Sequence, residues 1–128
     1  MPNSKFEALQ REYEEAVTGL AEVLQQPKNE FMRDSAIKRF ELAFDLSWKT
    51  IKAFAEERGV ICVSPLSCFK EAYHQNLISY NDTLIIELVE TRNKPVHTYD
   101  EKLAEEVYNA LPNILQSFQE LLLALKST

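Results

Sequence analysis

An all-α, up-and-down bundle of about five helices, resembling a four-helix bundle, is the fold class that three features of this sequence predict. Apolar residues recur three or four apart over most of the chain, the spacing of amphipathic helices. Only two of the 128 residues are glycine, too few for the tight turns of an all-β fold. Prolines and small polar residues separate the periodic stretches. With 45% hydrophobic residues, 27% charged residues and no internal repeat or linker, residues 1–128 read as a single domain able to bury a core.

In the first stretch, KFEALQREYEEAVTGLAEVLQQ, the residues Phe6, Leu9, Tyr13, Val17, Leu20 and Leu24 form one stripe. Pro27 ends it, because a proline disfavours helical geometry in the residue before it. The second stretch is the strongest: Ile37, Phe40, Phe44, Trp48, Ile51 and Ala55 fall within an arc of roughly 80° at helical pitch. Its polar side carries Lys38, Glu41, Asp45, Lys49, Lys52 and Glu56, with Asp45 and Lys49 in the favourable order for a self-paired, solvated face. Gly59 is a natural residue for the helix end.

VICVSP reads as an extended connector, with Ser64 and Pro65 in the N-cap and N1 roles of a short third helix. That helix turns Cys68, Phe69, Ala72 and Tyr73 inward. A fourth helix starts near Asp82 and directs Ile85, Ile86 and Val89 to the core. Pro95 interrupts the pattern. In the last helix Leu103, Val107, Leu111, Leu115, Phe118, Leu122 and Leu125 keep the period, and Pro112 predicts a kink. Thr98 with Glu101 matches a capping box, with Asp100 as the alternative cap.

Some apolar residues exceed what one stripe needs. Leu121, Leu122, Leu123 and Leu125 cover more than one face of the last helix, and Phe31, Phe40 and Phe54 widen that of the second. Excess apolar surface marks an interface, so a homodimer is expected.

A net charge of −6 counts against a protein that coats nucleic acid without specificity, although it leaves room for a local cationic pocket. Cys62 and Cys68 are too few for a disulfide framework or a four-ligand zinc site, and read as reduced thiols. The acidic first residues lack the apolar core of a signal peptide, and LLLAL is far too short to span a bilayer. A cytoplasmic protein, with no membrane association, no metal and no organic cofactor, is the expectation.

One stretch groups side chains that can do chemistry: TRNKPVHTYD, residues 91–100. Arg92 offers a fork of donors suited to a phosphate. His97 titrates near neutral pH and can move a proton. Asn93 and Tyr99 complete the group, and the amides of residues 98–102 would add the positive end of a helix dipole if left free. These residues suit a nucleotide or phosphodiester site, although from their chemistry alone a polar interhelical turn is the favoured reading. His74, late in the short helix, fits a contact with the helix C-terminus better than catalysis.

RNKPVHTY resembles the Arg-x4-His-x-Tyr signature of HEPN domains. The blocks RFELAFDLSWKTIKAFAEERGV, SPLSCFKEAYHQNLI and VETRNKPVHTYDEKLAEEVY, in this order, resemble the HepT-like, nucleotidyltransferase substrate-binding branch of that superfamily over essentially the whole chain. The resemblance implies a dimeric helical bundle, Arg92 and His97 of its two copies close together, and a separately encoded minimal nucleotidyltransferase as partner. In the ribonucleases of the superfamily the corresponding arginine and histidine cleave RNA without metal. Carried over, His97 would move the proton at the ribose, Arg92 would hold the phosphate and Asn93 would orient the pair. In HepT-like toxins the motif tyrosine can be adenylylated by the partner, which would make Tyr99 a modification site. Pro95, between Arg92 and His97, departs from the continuous helix that would place both on neighbouring faces. Two readings follow: a substrate- or nucleotide-binding subunit of a nucleotidyltransferase, and a metal-independent endoribonuclease toxin restrained by that partner. A dimeric scaffold whose motif only stabilises a turn is the third.

Overall fold

The first helix, α1 (Lys5–Leu24), runs antiparallel to α2 (Glu30–Glu56): Lys5 meets Glu56 at 3.9 Å, and the rings of Phe6 and Phe54 lie 5.6 Å apart. The chain then forms α3 (Pro65–His74), α4 (Asp82–Asn93) and α5 (Glu101–Lys126). The structure, a computed structural model, describes residues 4–80, 82–94 and 100–128; among these the five helices account for all regular structure.

The three long helices enclose the core. α5 runs alongside α2 in the same direction, since Arg33 meets Glu101 and Glu105 while Phe40 stacks on Phe118 further along both helices. It opposes α1, whose Tyr13 hydroxyl donates to the Phe118 carbonyl at 2.8 Å. That bond satisfies a phenol with no exposed surface, which burial would otherwise penalise. α3 packs on α2 through Phe44 and Phe69, 5.6 Å between ring centres, and α4 packs chiefly on α3.

Local chemistry sets the helix ends. Ser4 caps α1, Asn29 caps α2, and Ser64 forms a capping box with Ser67 behind Pro65 at the start of α3. α2 closes with a Schellman pair, Val60 N–H to Ala55 O and Gly59 N–H to Glu56 O, with Gly59 at φ 77° as the helix-ending glycine. α3 closes the same way, with Asn76 at φ 61° in the left-handed position. α5 continues through Pro112, which is exposed, as one helix.

Several sequence expectations change here. Leu88 rather than Ile86 joins Ile85 in the core, and Ile86 remains 41% exposed. Phe40, Phe54, Leu121 and Leu125 are buried in the monomer, whereas Phe31 and Leu123 stay exposed. Cys62 and Cys68 are not free thiols but a disulfide, Cα to Cα 5.1 Å, joining the extended connector to the first turns of α3. The connector folds back along the helix it leads into, and so brings together two buried cysteines six residues apart. No helix among the described residues is long and apolar enough to cross a membrane.

Candidate functional site

Arg92 sits in the last turn of α4, where a cation complements the helix dipole. It does not point into open solvent. Its Nη1 lies 3.5 Å from Glu41 Oε2 and its Nη2 3.5 Å from Asp45 Oδ2, so two α2 carboxylates one turn apart receive the two arms of the guanidinium. The Nε atom is buried and has no hydrogen-bond partner among the described residues. Asp45 therefore faces Arg92 across the fold, not Lys49 along the helix. Helix geometry alone would allow either pairing, and Arg92 reaching across from the end of α4 supplies a guanidinium fork matched to two carboxylates.

One guanidinium faces two carboxylates here, and Lys38 Nζ lies 3.9 Å from the other oxygen of Glu41. A phosphate approaching Arg92 would meet a guanidinium already engaged by carboxylates, at distances on the long side for charged hydrogen bonds. Asn93, the final residue of α4, is exposed beside it. Thr91, one residue before Arg92, returns its hydroxyl to the Glu87 carbonyl at 2.8 Å, which tightens the last turn. His97 and Tyr99, with Pro95 and Thr98, lie outside the described residues.

On the far side of that segment, α5 begins with Asp100 as cap, its Oδ1 accepting from the Leu103 amide at 3.0 Å. Glu101 turns away from the cap to Arg33, whose Nη1 donates to Glu101 Oε2 at 2.6 Å and Glu105 Oε1 at 3.2 Å, while its Nε donates to Asp34 at 3.1 Å. The Arg33 side chain is only 4% exposed, and these contacts, led by Glu101, raise its pKa further above the usual arginine value. Arg33 in turn pulls the Glu101 carboxyl below its ordinary range; Glu105 is lowered by Lys28 first and Arg33 second. Asp100, Glu101 and Glu105 gather at the start of α5, the last two paired with Arg33 and Lys28, and the amides of residues 98 and 99 lie outside the described residues.

One helix thus anchors both sides of residues 95–99. α2 holds the end of α4 through Glu41 and Asp45, and the start of α5 through Arg33, eight residues or about 12 Å earlier along its axis. Sequence reasoning found Arg92 but missed Arg33, Glu41 and Asp45 as the residues that fix the segment's ends. Their partners lie 47 to 72 residues away along the chain, beyond any local pattern. His74 is exposed at the end of α3, where a dipole contact needs no further role. No group of three or more His, Cys, Asp or Glu residues is placed to hold a metal ion among the described residues.

Residues 6–127 match the family described as "Nucleotidyltransferase substrate binding protein like". The chain belongs to that family. A Thermus thermophilus protein of known crystal structure is 30% identical, with a TM-score of 0.79 over 88% of this chain and 98% of that one. HI0074 of Haemophilus influenzae, described as showing the fold of a substrate binding domain of a nucleotidyltransferase, is 23% identical, TM-score 0.69, over 94% and 96%. A tri-AMPylated HEPN toxin of Shewanella oneidensis, in complex with an MNT antitoxin, shares the fold at 17% identity, TM-score 0.76, over 98% and 99%. No curated protein matches the chain.

Proposed function

We propose that this protein is the substrate- or nucleotide-binding subunit of a two-component nucleotidyltransferase, acting as a homodimer beside a separately encoded catalytic partner. The observation that carries this reading is the Arg92 cluster, in a chain whose family match spans residues 6–127. A guanidinium held between Glu41 and Asp45 is well fixed in position but weak as a free anion clamp. It suits orienting a nucleotide that the partner also grips better than drawing in long RNA unaided. Asn93, His97 and Tyr99 complete the recognition surface in this reading. Tyr99 is the hydroxyl available to be adenylylated by the partner, and the Shewanella toxin is itself an AMPylated protein in complex with its antitoxin.

The second reading is a metal-independent endoribonuclease toxin, favoured by the retained Arg92, His97 and Tyr99 spacing. In it His97 takes the proton of a ribose 2′-hydroxyl, the 2′-oxygen bonds to phosphorus, and the P–O5′ bond breaks with a proton delivered to the leaving oxygen. Arg92 would neutralise the phosphorane, and the two α2 carboxylates beside it oppose that task.

The test is equilibrium binding of AMP and ATP to the purified chain, with and without the partner. The binding-subunit reading expects saturable binding that Arg92→Ala abolishes. Absence of nucleotide binding in both settings, with the protein folded, would overturn it.

A further inference from the structure

A sizeable cavity lies away from Arg92. It is a groove of about 640 Å³ between α4 and α5, closed at one end by the α3–α4 connector. The α4 wall presents Leu84, Glu87, Leu88 and Thr91, one face of the helix, and the α5 wall presents Ile114, Ser117 and Glu120 among others.

The groove has a consistent chemical sign. Glu87 and Glu120 stand on opposite walls, and no lysine, arginine or histidine among the described residues lines it. Three hydroxyl protons on its walls are already used: Thr91 donates to the Glu87 carbonyl, Ser117 to the Asn113 carbonyl, and Ser79 to Glu120 Oε1 at 2.5 Å. What these groups still offer is lone pairs. Tyr80 also lines the groove, 7% exposed, with a hydroxyl that has no hydrogen-bond partner among the described residues. Burial first, and the Glu120 charge second, keep that phenol protonated. Beneath the polar rim lie Leu88 and Ile114, 5% and 9% exposed.

A doubly acidic groove repels phosphate and selects a donor-rich cation, and its apolar floor selects methylene groups. Size points to a small molecule: ligand pockets run from about 300 to 1,000 Å³, whereas two turns of a helix 10 Å across already fill roughly 850 Å³. We propose that the α4–α5 groove binds an aliphatic polyamine, with one ammonium group at Glu87, another at Glu120, and the carbon chain laid over Leu84, Leu88 and Ile114. The Ser79 bond holds the Glu120 carboxylate in place for this role. The site is separate from Arg92 and stands whether or not the nucleotide reading does.

Isothermal titration of the full chain with spermidine at low ionic strength tests it. One saturable site is expected, weakened about fivefold by Glu87→Gln or Glu120→Gln and at least tenfold by both together. Asn113→Leu, which replaces a polar wall residue with a bulkier apolar one, is expected to weaken binding without altering the circular dichroism spectrum. Glu12→Gln with Glu15→Gln removes the same charge from the exposed side of α1 and is expected to leave the affinity unchanged. Absence of saturable binding overturns the proposal. So does an equal loss in the α1 control, which would reduce the effect to screening of an acidic surface, or displacement of spermidine by AMP, which would move it to the nucleotide site.

Discussion

Arg92 reaches from the last turn of α4 to Glu41 and Asp45 on α2, 3.5 Å from each, and so the cation singled out by the motif is also a tie between two helices. Its side chain is 29% exposed, which places the pair near the weak end of ion-pair energetics. Arg92→Ala is expected to cost about 1 kcal/mol or less in urea denaturation. Glu41→Gln with Asp45→Asn removes two charges that compete with a bound phosphate for the same guanidinium. That variant is expected to bind AMP several-fold more tightly than the parent, measured by equilibrium titration, with the gain lost when Arg92→Ala is added.

The Arg33 cluster has the larger structural share. A guanidinium buried under its own contacts loses packing as well as hydrogen bonds when truncated, so Arg33→Ala is expected to destabilise the fold by about 2 kcal/mol. Arg33→Met, which keeps the stem and leaves Glu101 and Glu105 able to rehydrate, is expected to cost less. Chemical denaturation of the two variants side by side separates the contributions.

The same cluster sets the acid limb of stability. Glu101, Glu105 and Glu56 have carboxyl groups held below their ordinary value of 4.5, chiefly by hydrogen bonds from Arg33, Lys28 and Lys52 respectively. A depressed folded pKa means that the unfolded chain takes up protons first as pH falls. The stabilisation is therefore complete above about pH 5 and is lost progressively below about pH 4.5 as pH falls through the folded values. Glu101→Gln with Glu105→Gln is expected to flatten this limb, read as the urea midpoint against pH between about 3 and 6.

Cys62–Cys68 closes a short loop, its paired positions six apart in sequence. On the chain-entropy account a loop of this size restrains the unfolded state by about 2 kcal/mol. Reduction, or Cys62→Ser with Cys68→Ser, is expected to lower stability by about that amount while leaving the helix content unchanged. Thiol titration of the denatured protein, before and after reductant, counts the bond directly.

The helices were legible because burial imposes a period, and residues such as Phe40, Phe44, Val107 and Phe118 obey it. α4 was harder. In LIIELV nearly every position is apolar, so no period distinguishes Leu88, which is buried, from Ile86, which is not. The excess of leucine and phenylalanine read as interface proved to be largely core, because α1, α2 and α5 meet around more than one face of the long helices. The site was legible only in part for a related reason. A motif names Arg92, yet the carboxylates that hold it and the arginine that anchors the next helix belong to distant positions of α2. A charge run such as Glu41 and Asp45 does not announce a partner 51 or 47 residues away.

Whether His97 holds or cuts decides between the two readings. The most direct measurement is incubation of the purified protein with RNA in the presence of chelator, beside His97→Ala, with products resolved by length. A binding subunit predicts intact RNA in both samples. Cleavage by the parent that disappears in His97→Ala would contradict it and establish the ribonuclease reading in its place.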